Sequence, residues 1–105
     1  MSFSLSGSLL DGLVLSILEK EDTYGYELTQ TLQKSAAISE STLYPVLKRL
    51  QKDAYLSTYD KAQDGRNRRY YSITDDGRQK LAHTKEEWAI FYRTIDAFLG
   101  GNKNG

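Results

Sequence analysis

Apolar residues recur at helical spacing through the first half of the chain. Leu9, Leu10, Leu13, Val14, Ile17 and Leu18 fall three and four residues apart, the signature of an amphipathic helix. One of Ser4, Ser6 and Ser8 is placed to cap it. Glu21-Asp22-Thr23 interrupts the pattern. A second helix is predicted from about Tyr24, with Thr23 as its cap and Tyr24, Leu28 and Leu32 as its inward stripe. Gly25 costs such a helix about 1 kcal/mol against alanine, which points to close packing on a neighbouring helix. Residues 35–40 read as a turn. A third helix follows, capped by Ser39 or Ser41, with Leu43, Leu47 and Leu50 facing inward and Val46 at the stripe's edge. Pro45 is tolerated in a first turn, where backbone amides have no intrahelical partners, so a start near Ser41 is expected.

The period then changes from helical to alternating. Residues 55–60 and 68–74 are rich in Tyr, Thr and Ile and read as two strands. Residues 61–67 join them, with Asp64-Gly65 as the turn signal. Leu56 on one strand and Tyr71 with Ile73 on the other are placed to share a buried face, and Tyr70 to be exposed. Thr74 is positioned to cap a last helix, with Asp75 and Asp76 in its first turn, where the helix dipole favours negative charge. Leu81, Trp88, Phe91, Tyr92, Ile95, Phe98 and Leu99 give that helix a long aromatic stripe. Three helices, a two-stranded hairpin and a final helix make a mainly α chain with the order of a winged helix-turn-helix.

Composition narrows the chemistry. The 105 residues suit one small domain, and the absence of cysteine excludes disulfides and thiolate metal sites. His83 is the single histidine, so no multi-histidine metal centre is expected, and it reads as a surface or rim residue. Neither a nucleophile with an adjacent base nor a Gly-rich phosphate loop is visible, which argues against an enzyme, and no cofactor is expected. The apolar run at residues 13–18 is interrupted by Ser16, and no stretch is long enough to span a membrane. A soluble cytoplasmic protein is the expectation.

Charge is balanced overall, 14 basic against 14 acidic residues, but not along the chain. Residues 1–47 carry a net charge of −4, residues 48–69 of +4 and residues 70–105 of zero. A polyanion would meet the local patch rather than the average.

Three motifs resemble the PadR family of bacterial transcriptional regulators. Tyr24-Gly25-Tyr26-Glu27-Leu28 resembles the opening of that family's second helix. Thr42-Leu43-Tyr44-Pro45-Val46-Leu47-Lys48-Arg49-Leu50 is similar to its recognition helix. Arg69-Tyr70-Tyr71-Ser72-Ile73-Thr74-Asp75-Asp76-Gly77 is similar to its second wing strand and helix entry. The three occur in order over residues 9–99. The resemblance implies a homodimeric winged-helix repressor that binds a double-stranded operator. Residues 1–77 would then form the DNA-binding domain, 78–100 a single dimerisation helix of the short-tailed kind, and 101–105 a flexible tail. The chain departs from the family at Ala54, where glycine usually ends the third helix. Alanine there implies either a local cost on the order of 1 kcal/mol or a different exit geometry.

Candidate contacts follow from residue type and place. Thr42, Lys48 and Lys52 lie outward on the third helix, with Ser41 and Tyr44 near its N-terminal end, a mixture suited to a major groove. Arg49, between Leu47 and Leu50, is placed either for DNA or to hold a carboxylate inside the fold. Lys61, Arg66, Asn67 and Arg68 surround the hairpin tip and suit phosphate or minor-groove contact. Asp60 and Asp64 dilute that patch. The eight tyrosines are better explained as strand and core residues than as a single-strand stacking platform. Leu9, Leu13, Trp88, Phe91, Tyr92, Ile95, Phe98 and Leu99 are the expected dimer interface, because a wide aromatic stripe needs a partner. Trp88 is also the expected wall of a pocket for a small aromatic ligand. A protein-interaction module is the competing reading, since fold alone does not fix function.

Overall fold

In the computed structural model, which describes residues 7–100, the order is α1 (Gly7–Lys20), β1 (Thr23–Tyr24), α2 (Gly25–Ala36), α3 (Glu40–Lys52), β2 (Leu56–Gln63), β3 (Arg66–Ile73) and α4 (Asp75–Leu99). The strands form one antiparallel sheet in the order β1-β3-β2. Ser4, Ser6 and the tail at 101–105 lie outside the described residues, and Ser8 falls within α1 rather than before it.

Each predicted stripe contributes to one core. Val14, Leu15 and Leu18 of α1 meet Leu28 and Leu32 of α2, Leu43, Leu47 and Leu50 of α3, Leu56 and Ile73 of the hairpin, and Leu81 of α4. Burying one such side chain is worth about 1.5–3 kcal/mol, so these contacts hold α3 and the hairpin in a fixed relation. Val46, at the edge of the stripe, is buried with it. Where α1 meets α4, a Cβ at Gly12 would come within 2.7 Å of Thr84 Cγ2. The helices approach that closely because residue 12 has no side chain.

Several local expectations are corrected. Thr23 does not cap α2. Thr23 and Tyr24 form β1, paired opposite Tyr71 and Tyr70, and the Thr23 hydroxyl donates to Glu27 Oε1 at 2.9 Å. Gly25 is the first residue of α2 and lies in ordinary contact with the Tyr71 ring, not against a helix. The helix continues to Ala36, which shortens the predicted turn. α3 starts at Glu40, one residue before the expected Ser41, because Ser39 is its N-cap, and Pro45 is therefore its sixth residue, beyond the first turn. The hairpin strands extend to Gln63 and Arg66, so only Asp64 and Gly65 remain as the turn. Both have positive φ (53° and 76°), the backbone of a two-residue hairpin turn that favours Asp-Gly.

The exit of α3 bears on the Ala54 departure. The Ala54 amide donates to Gln51 O at 3.0 Å and the Tyr55 amide to Leu50 O at 2.9 Å. That is a Schellman closure, and Ala54 adopts φ 65° to make it. As expected, Thr74 caps α4, its hydroxyl accepting from the Gly77 amide at 3.0 Å. The same hydroxyl donates to Ala54 O at 2.7 Å, tying the end of α3 to the start of α4.

Candidate nucleic-acid interface

α3 is amphipathic because apolar residues return every three or four positions. Leu43, Val46, Leu47 and Leu50 are buried, whereas Ser41, Thr42, Tyr44, Lys48 and Lys52 are exposed. At about 100° per residue, Ser41, Tyr44, Lys48 and Lys52 share one outward strip. Thr42 falls on the flank beside Arg49. Hydroxyls cluster at the N-terminal end, with Ser39 Oγ 3.1 Å from both Ser41 Oγ and Thr42 Oγ1. Tyr44 is 51% exposed. Lys48 and Lys52 have no ion-pair partner within the chain among the described residues. Arg49, on the flank, ion-pairs with the buried Asp11 of α1.

The hairpin register divides its cations between two faces. Gln63 lies opposite Arg66, Lys61 opposite Arg68 and Tyr59 opposite Tyr70. With side chains alternating along a strand, these six share the face directed away from the helices. Leu56, Tyr71 and Ile73 occupy the other face, as predicted, together with Asp60, Asn67 and Arg69.

On the outer face Tyr24, Tyr70 and Tyr59 form one rung across the three strands. Tyr24 meets Tyr70 edge-on at 5.6 Å between ring centroids, and Tyr59 stacks on Tyr70 at 5.5 Å. Tyr70 is consequently only 9% exposed, contrary to its expected exposure, and its hydroxyl donates to Gln63. The cations lie on this rung. The Arg68 guanidinium carbon is 4.5 Å from the Tyr24 centroid and Lys61 Nζ 5.3 Å from that of Tyr70. The Tyr59 hydroxyl donates to Asp22 Oδ2 at 2.7 Å, and that hydrogen bond raises its pKa. Arg66 and Asn67 are exposed beside the turn.

On the inner face Tyr71 packs against the edge of the core. Burial raises its pKa, Arg69 lowers it and Tyr44 of α3 adds a smaller upward push. Arg69 pairs loosely with Asp60 at 3.8 Å, both well exposed. Arg69 belongs to the basic segment of the sequence but was not among the contacts expected from residue type and place. The strand alternation that separates Arg69 from Arg68 was the available signal.

The stripe of α4 divides at Trp88. Before it, Leu81 and Thr84 are buried. After it, Phe91, Tyr92, Ile95, Phe98 and Leu99 are exposed, Phe98 by 81%. Trp88, 43% exposed, lies beside Phe91 and Tyr92 and lines an apolar cavity of about 370 Å³ with Leu9 and Leu13 of α1. His83 lies on the surface beside Glu87 at 3.5 Å. Among the described residues no His, Cys, Asp or Glu cluster is arranged to hold a metal, and no helix is long and apolar enough to cross a membrane.

A capped helix with a polar and cationic outward strip, set beside a basic hairpin, defines a winged helix-turn-helix of the DNA-binding class. The model of the "Transcriptional regulator PadR-like family" matches residues 14–83. The chain belongs to that family, and its members are DNA-binding regulators of transcription rather than enzymes. Among solved structures it is similar to smu.1704 from Streptococcus mutans, with 43% identity, a TM-score of 0.87 and coverage of 100% of this chain and 99% of that one. It is also similar to a PadR-like transcriptional regulator from Bacillus cereus, with 37% identity, a TM-score of 0.82 and coverage of 90% and 94%. A transcriptional regulator from Mycobacterium tuberculosis is 34% identical over 84 residues, 79% of this chain and 76% of that protein.

Proposed function

We propose that the protein is a homodimeric repressor that recognises a twofold-related operator through α3. The observation that carries this reading is the outward strip of α3, where Ser41, Tyr44, Lys48 and Lys52 stand opposite a fully buried apolar strip. Core packing alone asks for the buried strip and not for the other. Residues 1–77 act as the DNA-binding part and the α4 segment from residue 78 as the dimerisation part. Thr42, Lys61, Arg66 and Asn67 add contacts from the flank of α3 and from the wing. Two recognition helices in one dimer enter major grooves about one helical turn apart, or a multiple of it. Selection of bound fragments from random duplex DNA tests the reading. It is expected to return an inverted repeat with that spacing. Enrichment of single sites or of no sequence would contradict it.

The exposed stripe of α4 supports the dimer, because a run of large apolar side chains this wide is unfavourable in water. The cavity beside Trp88 supports a regulatory role for a flat aromatic molecule, stacked on the indole and favouring one spacing of the final helices. Planar aromatic cations and phenolic acids are the probes. A regulatory ligand quenches Trp88 fluorescence saturably and weakens operator binding over the same concentration range. Quenching without a change in operator affinity would leave a pocket but no switch.

A further inference from the structure

We propose that Arg69 is the wing cation that grips a backbone phosphate, and that Arg68 is a structural clamp. This rests on the DNA-binding reading and assigns its wing contact to a different cation. Arg68 and Lys61 lie on the outer face of the sheet, turned away from the helical body that contains α3. Arg68 is committed there. Its guanidinium covers the Tyr24 ring, and its Nε is buried with no hydrogen-bond partner. Moving it to a phosphate would uncover Tyr24 and give up a cation–π contact.

Arg69 is placed differently. It alternates onto the face of Tyr71, and Tyr71 packs at the edge of the core on the side of the helices. Arg69 therefore lies on the face of the sheet that adjoins the helical body. Within the chain Arg69 has only Asp60, at 3.8 Å and exposed. Such pairs are weak, and a phosphate offers two oxygens to the planar fork. Asp60 acts against the contact by holding Arg69 and repelling the anion.

The test is the salt dependence of duplex binding by wild type, Arg69→Gln, Arg69→Lys, Arg68→Gln and Asp60→Asn. Removing one cation from a phosphate lowers the log–log slope by about 0.9. Arg69→Gln is expected to show that decrease for each protomer, and Arg69→Lys to recover the slope. Arg68→Gln is expected to keep the slope while lowering the melting temperature. Asp60→Asn raises affinity. An unchanged slope in Arg69→Gln, or a shallower one in Arg68→Gln instead, would overturn the proposal. A flat wild-type dependence would overturn the DNA-binding reading beneath it.

Discussion

Asp11 of α1 and Arg49 of α3 form an ion pair, and Lys80 of α4 lies 3.7 Å from the same carboxylate. The Asp11 side chain is 8% exposed. One carboxylate thus joins the helix that would read DNA to the helix that would hold the dimer. Arg49, on the flank of α3, serves this node rather than the outward strip.

Burial raises the Asp11 pKa, outweighing the lowering pull of Arg49 and Lys80. Between 3.8 and the raised folded value, the folded protein holds the Asp11 proton more firmly than the unfolded chain does. The contribution of Asp11 to stability therefore falls as pH rises through that window and levels off above it. Urea unfolding of wild type and Asp11→Asn across the window is expected to show the wild-type advantage shrinking as pH rises. An advantage that grows with pH would mean that the pair, not desolvation, dominates.

Ala54→Gly is expected to stabilise the fold by about 0.5–1 kcal/mol. It relieves the left-handed alanine of the Schellman closure, less the entropy that glycine adds to the unfolded chain. The urea midpoint should rise with an unchanged slope. A fall would mean that the α3 exit carries no strain.

Wild type is expected to sediment as a dimer at micromolar concentration. Ile95 and Phe98 are exposed and outside the core cluster. Replacing both with glutamate should therefore give a folded monomer, with an unchanged helical signal. A monomeric wild type, or a variant that still dimerises, would contradict the assignment of α4.

What the sequence made legible was local. The stripes of α1, α3 and α4, the Thr74 cap and the Asp64-Gly65 turn each depend on residues within a few positions of one another. Strand β1 was not legible, because Thr23 and Tyr24 become a strand only by pairing with Tyr70 and Tyr71, far along the chain. The burial of Tyr70 was missed for the same reason, since Tyr24 and Tyr59 cover it from two other strands. Both roles for Arg49 stay open in the sequence because its partner, Asp11, is 38 residues away. For the interface, alternation alone separates the Arg68 face from the Arg69 face. Which of the two adjoins α3 is settled only by tertiary packing.

The most direct test of DNA recognition through α3 is the salt dependence of duplex binding by wild type and Lys48→Ala. Lys48 is exposed on the outward strip, so its removal should leave stability intact. Wild type is expected to show a log–log slope of several units, at about 0.9 for each neutralised phosphate. Lys48→Ala is expected to bind more weakly or with a shallower slope. A wild-type affinity independent of salt, or a Lys48→Ala protein with unchanged affinity and slope, would contradict the account.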